Sequence, residues 1–565
     1  MSAIKIVARP NGDDVVLAWR TERIDNCIGF ALERQVRGKE AEYLETELPF
    51  AGQEATKGER RPCTEWPIQR FVWTDHLAPH KVDLKYRVRP VYGTPDSPTP
   101  AKAAEASAWT PWIRCETMST PGYSLFPNRG IVASQWVEDE IEELRAATPG
   151  VSDASLLSTA ISTTGSRLRE RLAGPVLGAI RAQFALAANR NEDIYAALYE
   201  LRDDELIDLL CTAGSRAHVV LANGAFSKED PDPNADAAKR LRNAHVDVTR
   251  RIVGAGHFAH NKFVVFGAGD QRRVWTGSTN WTPSGLCTQA NHAVLVEDPV
   301  LADAYVAYWN RIRSSLDGYP ASFKAANAVP GRGTEGAIET RAWFTPVPKQ
   351  VDMEDARALI RGAQHGALFL MFRPGDSETL IDEIKALNGK GKFIRGVVNQ
   401  NFLGKQSAPT IDFFNKSAKA LEVNPSILLP ARLSAAVGAL DKEVAASGVL
   451  IHSKIVVLDP FGDHPVVMTG SHNLGTKASA KNDDNLLIIE NAPGLAQEFA
   501  VYIMNTYDHY RWRYEKALRE KPGVQGVAGS MPPAGKWKGL IPSDKWQNAS
   551  YLKKSAKEVS FWFKQ

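Results

Sequence analysis

One chemical phrase occurs twice in this 565-residue chain, and that repetition constrains the fold more than any other feature. His260-Asn-Lys262 is followed by Gly277-Ser278-Thr-Asn280, and His452-Ser-Lys454 by Gly470-Ser471-His-Asn473. The step from His to Gly is 17 residues in the first copy and 18 in the second. A short apolar run ending in Glu follows each, at residues 293–297 and 486–490. Order and spacing repeat along with composition, so two half-sites on a duplicated fold are expected to build one active site.

Each His-x-Lys opens an apolar run, residues 263–266 or 455–458, and each Gly-Ser-x-Asn closes the next, residues 274–276 or 466–469. Side chains alternate along an extended strand, so a His and a Lys two positions apart share a face and can address a single anion. The returning strand then carries Ser and Asn to the same place. Upstream, residues 194–199, 205–210 and 217–221 read as strand, helix and strand, and residues 367–372, 379–384 and 393–398 repeat the unit down to a shared Leu-Ile-Asp. The duplicated object is therefore a whole α/β domain. One copy is expected over residues 127–315 and the other over 336–515, joined by the Pro- and Gly-containing stretch 316–338.

Residues 1–118 instead show short runs rich in β-branched and aromatic residues, at 15–19, 28–33, 71–73 and 84–92, the last alternating apolar with basic side chains. A small all-β sandwich is expected there. The succession of a Trp-ending strand, a Gly-Phe-Ala-Leu-Glu-Arg strand, a Trp-Thr-Asp turn and a Tyr-Arg-Val-Arg-Pro-Val strand resembles fibronectin type III modules. That likeness implies packing against the rest of the chain or recruitment of a protein partner or a substrate. The tail, residues 516–565, differs again: from Lys521 on, eight Lys stand against Asp544 and Glu558, although the whole chain carries only +3. Lys interleaved with Trp suits anion binding, while Phe561-Trp-Phe563 reads as an anchor for a tail that wraps back over the domains.

No apolar run approaches the roughly 18 to 20 residues of a membrane span, and the first residues lack a secretory apolar stretch, so a cytoplasmic protein is expected. Cys27, Cys63, Cys115, Cys211 and Cys287 are scattered, odd in number and never in CxxC spacing, which favours free thiols over disulfides or zinc.

The doubled His-x-Lys with its following Gly-Ser-x-Asn resembles the phospholipase D superfamily, whose signature is a duplicated HxKxxxxD with a GSxN behind it. The resemblance implies two phospholipase D-like α/β domains related by a pseudo-twofold axis, behind the sandwich. His452, Lys454 and Asp459 stand at the family spacing; in the first copy Gly267 occupies the Asp position and Asp270 lies three residues later. Asp270 and Asp459 are thus assigned supporting roles. The chemistry implied is attack of one imidazole on a phosphodiester phosphorus, giving a covalent phosphohistidine, while the other protonates the leaving alkoxide and then activates water. Lys262, Lys454, Ser278, Ser471, Asn280 and Asn473 would donate to the non-bridging oxygens. Such a donor set requires no divalent metal and no cofactor. The acidic loop 229–236 fails as an EF-hand, because Ala235 and Leu241 stand where Gly and Glu are needed.

Eleven residues beyond each Gly-Ser-x-Asn the copies differ, Asn291 against Asp484. If each contacts its own half's imidazole, a carboxylate would favour protonated His452 as the acid and leave His260 as the nucleophile. Phospholipids, DNA and RNA all contain the phosphodiester this constellation recognises. The basic Trp-containing tail favours nucleic acid, whereas two motif copies in one chain are the habit of the lipid enzymes, so phospholipid is the alternative.

Overall fold

In a computed structural model, residues 4–56, 59–116, 120–130, 135–224, 232–375, 379–399, 411–414, 420–423, 451–520 and 539–564 are described. Strands Lys5–Pro10, Val15–Arg20 and Val72–Asp75 make an antiparallel three-stranded sheet. A second antiparallel sheet runs Ile113–Arg114, Asp83–Thr94, Gly29–Val36, Ala41–Tyr43, with Ser97–Pro100 also on Asp83–Thr94. The alternation legible in Asp83–Thr94 is obeyed: Leu84, Tyr86 and Val88 are buried while Lys85, Arg87 and Arg89 are only half-buried. Leu17 and Trp19 from one sheet and Phe30, Tyr86 and Val88 from the other share one apolar core, as a sandwich requires.

Two larger sheets follow, and they repeat each other. The first places Tyr123–Pro127, His292–Val296, Arg273–Gly277, Lys262–Phe266, Ile194–Leu198, Ala217–Ala222 and Asp247–Arg251 side by side. The second runs Ile338–Phe344, Asn485–Glu490, Val466–Gly470, Lys454–Leu458, Gly366–Met371 and Phe393–Val398 in the corresponding order. In both, the strand–helix–strand unit gives a parallel pair, and the strand carrying the Lys lies antiparallel beside it. Lys262–Phe266 and Lys454–Leu458 are buried along their whole length, which explains their unbroken apolar runs: helices cover both faces.

The copies diverge at the far edge. Where the first sheet adds parallel Asp247–Arg251, the second adds an antiparallel hairpin of Ile411–Phe414 and Ala420–Val423. The stretch 316–338 is more than a connection, because it contains helix Ala321–Ala326 and strand Gly331–Glu335, which extends the second sheet beyond Ile338–Phe344.

Helix Pro299–Ser315, capped by Asp298 on the Leu301 amide, reaches across the seam: Tyr308 Oη donates to Thr345 O at 2.9 Å and Tyr305 Oη to Asn485 Oδ1 at 3.1 Å. Helix Pro493–Glu520 does the reverse, Tyr502 Oη donating to Asn291 O at 3.1 Å. Neither helix reaches a membrane-spanning length of apolar residues, and among the described residues no helix does.

The tail returns over the other domains. Leu540 pairs with Phe50 in the sandwich, and Trp546 enters its core against Phe30 and Phe71. Helix Ala549–Trp562 then delivers Phe561 and Trp562, both essentially buried, to Phe393 and Phe461 of the second half. The aromatic residues expected as an anchor therefore act as one. The Pro- and Gly-rich stretch 521–538, with Lys536 and Lys538, lies outside the described residues, as does the start of the acidic loop at 229–231. The five thiols are free, four of them buried, and burial pushes that of Cys63 up to about 12.

Candidate active site at the seam between the halves

The two motifs meet where the sheets abut. His260 and His452 each sit just before the buried strand that begins at Lys262 or Lys454, and each is held by a backbone bond to the opposite half: His260 N–H donates to Asp483 O and His452 N–H to Ala290 O. The alternation expected of a strand puts His and Lys on one aromatic ring in each copy. Tyr199 lies 4.7 Å from the His260 ring and carries Lys262 Nζ 4.7 Å above its centroid. Phe372 lies 4.6 Å from the His452 ring and carries Lys454 Nζ at 4.5 Å. Each ammonium also donates to the carbonyl of its own His, at 2.7 Å in the first copy and 2.5 Å in the second. Asn261, between His260 and Lys262, turns the other way and meets Tyr308 of its own half and Asn485 across the seam.

The expectation that Asn291 and Asp484 contact the imidazoles of their own halves is overturned. His260 Nδ1 lies 2.8 Å from Asp484 Oδ1, and His452 Nδ1 lies 3.0 Å from Asn291 Oδ1 and 3.1 Å from Ser278 O. The physical reason is in the sheets. The strands that carry these residues, His292–Val296 and Asn485–Glu490, point their leading ends over the seam, where Ala259 pairs with Asp483 and Ala290 with Ile451.

The acceptors fix the tautomers. A carboxylate can only accept, so Nδ1 of His260 carries the proton of this bond and Nε2 is the ring's other nitrogen. Asn291 Nδ2 donates to Gly285 O at 2.9 Å, so its Oδ1 is the atom turned to His452, whose Nδ1 is likewise the donor. Burial pushes the Asp484 carboxyl up, but the charge and hydrogen bond of His260, with smaller help from His472 and Lys262, hold it below the usual carboxylate range. Asp484 is thus an ion at neutral pH, held on His260 Nδ1.

The serines take a different role from the one expected. Ser471 Oγ donates to Asp484 Oδ1 at 2.7 Å and accepts from Asn485 N, and Ser278 Oγ donates to Asn291 Oδ1 at 2.8 Å and accepts from His292 N. Their protons are engaged on the residues that orient the imidazoles, not aimed at a ligand. Asn280 is fully buried and its Nδ2 donates to Glu200 Oε2 at 2.6 Å, leaving one N–H of that amide for another acceptor. Asn473 is half-buried in the matching place.

The supporting aspartates separate. Asp459 Oδ1 accepts the amides of His365 and Gly366 and Oδ2 that of Gln364, closing the start of strand Gly366–Met371. Asp270 is exposed in the turn Gly269–Gln271 and is not brought to the site. Its expected place is filled from the loop before strand Ile194–Leu198: a Cβ on Gly267 would lie 3.3 Å from the Glu192 carboxyl, which pairs with Arg273 at 2.9 Å. A side-chain carboxylate at 267 would collide with that charge, so glycine with φ +81° stands there.

The remaining members, missed in the sequence, are Tyr199, Phe372 and Glu200. The two aromatic residues close equivalent runs of the repeat, 194–199 and 367–372, which was the available signal. Next to them Arg251 and Asp483, both essentially buried, form a forked ion pair across the seam, Nε to Oδ2 at 2.8 Å and Nη2 to Oδ1 at 3.2 Å. Among the described residues no group of His, Cys, Asp and Glu is arranged to hold a metal.

Residues 183–313 and 357–507 match the family described as "Cardiolipin synthase, PLD-like domain". The curated protein named phospholipase D from Rickettsia prowazekii (strain Madrid E) is 29% identical over 118 residues, 21% of this chain and 54% of that one. Its namesake from Rickettsia conorii is 27% identical over 124 residues, 22% of this chain and 58% of that one. The chain thus spans little more than half the length of these curated relatives. Among solved structures, phosphatidylserine synthase of Haemophilus influenzae Rd KW20 is similar over 60% of this chain and 88% of its own, at 12% identity and TM-score 0.39. Nuc of Salmonella typhimurium is similar over 30% of this chain and 95% of its own, at 16% identity and TM-score 0.20.

Proposed function

Starting from a chain that carries two phospholipase D-like domains, we propose that it is a metal-independent phosphodiesterase in which His260 is the nucleophile and His452 the general acid. The observation that carries the assignment is the crossed pairing of Asp484 with His260 and Asn291 with His452. It keeps the assignment expected from the sequence and replaces its reason. When Nε2 of His260 bonds to phosphorus and Nδ1 keeps its proton, the ring becomes cationic. The Asp484 carboxylate neutralises that charge and stabilises both the transition state and the phosphohistidine. His452, whose Nδ1 meets the neutral oxygens of Ser278 and Asn291, is supported less as an imidazolium than His260 beside Asp484, so it gives up its Nε2 proton more readily to the leaving alkoxide. It then takes a proton from the water that hydrolyses the intermediate. Lys262 and Lys454 neutralise the non-bridging oxygens, and Asn280 and Asn473 complete the donor set.

For the substrate we favour nucleic acid. The tail no longer supports that choice, since Trp546 and Trp562 are consumed in packing; support comes from exposed Arg373 and Lys477 at the rim. Phospholipid is the second reading, favoured by the name phospholipase D carried by the curated relatives. We also read the sandwich as fibronectin type III-like, from its three-stranded sheet facing a second sheet ordered around Gly29–Val36 and Asp83–Thr94.

The test incubates wild type and His260→Ala with bis(p-nitrophenyl) phosphate, plasmid, single-stranded DNA, RNA and phosphatidylcholine vesicles in EDTA. Turnover of the chromogenic ester and a nucleic acid, lost in His260→Ala, is expected, with acid-stable trapping absent and base-stable phosphate retained on His260. Activity that vanishes in EDTA and returns with Mg²⁺ refutes the metal-independent route, and release from vesicles alone transfers the function to the lipid reading.

A further inference from the structure

The two half-sites are alike at the imidazoles and opposite at the rim. Strand Ile194–Leu198 is followed by Tyr199 and then Glu200, whereas strand Gly366–Met371 is followed by Phe372 and then Arg373. Glu200 is buried and holds Asn280 and Arg202. Arg373 is exposed, with Cζ 5.6 Å from the Phe372 centroid, the ring that also meets His452 and Lys454. A guanidinium thus stands one aromatic ring away from the general acid, at the position where the other half has a carboxylate.

A second cation is brought to the same rim by close backbone approach. Gly475 precedes helix Thr476–Lys481, and a Cβ there would lie 1.8 Å from Pro374 O, so only glycine lets that helix press against the residue after Arg373. The helix presents Lys477, whose Nζ lies 4.3 Å from the Phe258 centroid. Phe258 packs on Tyr199 at 6.0 Å, and Tyr199 on His260 at 4.7 Å. Partial burial first, then the charges of Lys481 and Arg373, hold the Lys477 ammonium below its usual range. The corresponding helix of the first half, Pro283–Cys287, has Ser284 in place of Lys477.

Resting on the phosphodiesterase reading, we propose that Arg373 and Lys477 form a second anion subsite on the leaving-group side, which takes the next phosphate of a nucleic-acid strand. In-line attack by His260 drives the leaving oxygen toward His452, so whatever the leaving alcohol carries extends along the half that bears Arg373. A leaving group with its own phosphate meets two cations there and, beside Lys477, the half-buried ring of Phe258 against which a base can stack. The opposite half has no counterpart to this pair: Glu200 stands in the place of Arg373, buried and paired with Arg202, and Ser284 stands in that of Lys477. The site therefore selects by attraction on the leaving-group side.

The experiment compares the dinucleotide TpT with the trinucleotide TpTpT, using wild type and an Arg373→Gln/Lys477→Gln double variant. One bond of the trinucleotide always has a phosphate-bearing leaving group, whichever ester oxygen departs. Wild type is expected to prefer TpTpT by about tenfold or more in kcat/KM, as suits one or two charge-assisted contacts. In the double variant the preference should fall to near unity. On His260→Ala, fluorescence-detected binding of TpTpT should lose about one to two in its log–log salt slope when both cations are replaced. Equal rates for TpT and TpTpT in wild type, or a preference unchanged in the variant, overturn the subsite. Cleavage of cardiolipin vesicles over phosphatidylglycerol vesicles, without a trinucleotide preference, overturns the assignment to a strand. Failure of wild type to cleave even bis(p-nitrophenyl) phosphate sinks the phosphodiesterase reading itself, and the subsite with it.

Discussion

Asp484 belongs to the second half by sequence and to the first half by chemistry. Asp484→Asn keeps the shape and the acceptor oxygen but removes the charge, so phosphorylation of His260 should slow by on the order of 10² to 10⁴, measured as the single-turnover burst, with far less effect on substrate affinity. His292 offers a separate, thermodynamic test. Burial, then Lys454 and His452, push it down to about 3 from an ordinary 6.5, so the folded ring stays neutral where an unfolded one would charge. Between those values the unfolded chain binds the extra proton, and stability rises with pH, reaching its full contribution above about 6.5. His292→Asn, which copies Asn485 of the other half, should reduce the slope of unfolding free energy against pH between 4.5 and 6 by up to about 1.4 kcal/mol per unit, measured by urea titration. At this scale the sequence revealed the His, Lys, Ser and Asn because they recur as a phrase. Tyr199 and Phe372 recur too, but some 60 to 80 residues upstream of their motifs, and the Glu192 carboxylate beside Gly267 has no sequence signal, since its role depends on the loop before a neighbouring strand.

Elements meet at the seam through Arg251 and Asp483. Removing one partner strands the other charge in a dry place, so Arg251→Met or Asp483→Leu alone should cost about 3 to 5 kcal/mol in chemical denaturation, while the double replacement should recover much of the loss. Loss of the Asp459 carboxylate in Asp459→Ala frees three amides at the start of Gly366–Met371; a cost of roughly 1 to 3 kcal/mol is expected, read as a shift in urea midpoint without a change in m. The alternating strands and the strand–helix–strand repeat were legible because their periodicity is local. Gly331 and Gly333 misled, since in the Pro- and Gly-containing stretch 316–338 they read as part of a connection. In the fold they are edge-strand positions, where a Cβ on Gly331 would lie 2.5 Å from Ala304 Cβ and one on Gly333 2.1 Å from the Asp298 carboxylate, under helix Pro299–Ser315. The hairpin Ile411–Phe414 and Ala420–Val423 was likewise unreadable from a repeat, because the first half has no counterpart.

For the whole molecule, the tail decides how the sandwich and the second half stay together. Trp546 closes the sandwich core, Trp562 and Phe561 close an apolar surface of the second half, and Arg9 of the first strand donates to the carbonyls of Trp562 and Lys564. Trp562→Ala should cost about 3 to 5 kcal/mol and make the sandwich the first part cut in limited proteolysis, with the phosphodiesterase rate of the surviving intact chain little changed. Composition had offered two readings of this segment, and charge alone could not choose between them: among the described residues Lys545 and Lys553 are exposed, Lys557 and Lys564 bond to Lys392 O and His365, and Trp546 and Trp562 are buried.

The crossed pairing of the seam has a consequence for inheritance. A lesion at residues 482–485 disables the first motif, and one at residues 289–292 the second, so genetic mapping would assign each defect to the wrong half. Two chains, one broken at His260 and the other at His452, could restore activity only by exchanging whole halves. A gene fragment encoding either half by itself would carry an intact signature and lack the opposite half's residue that holds its imidazole.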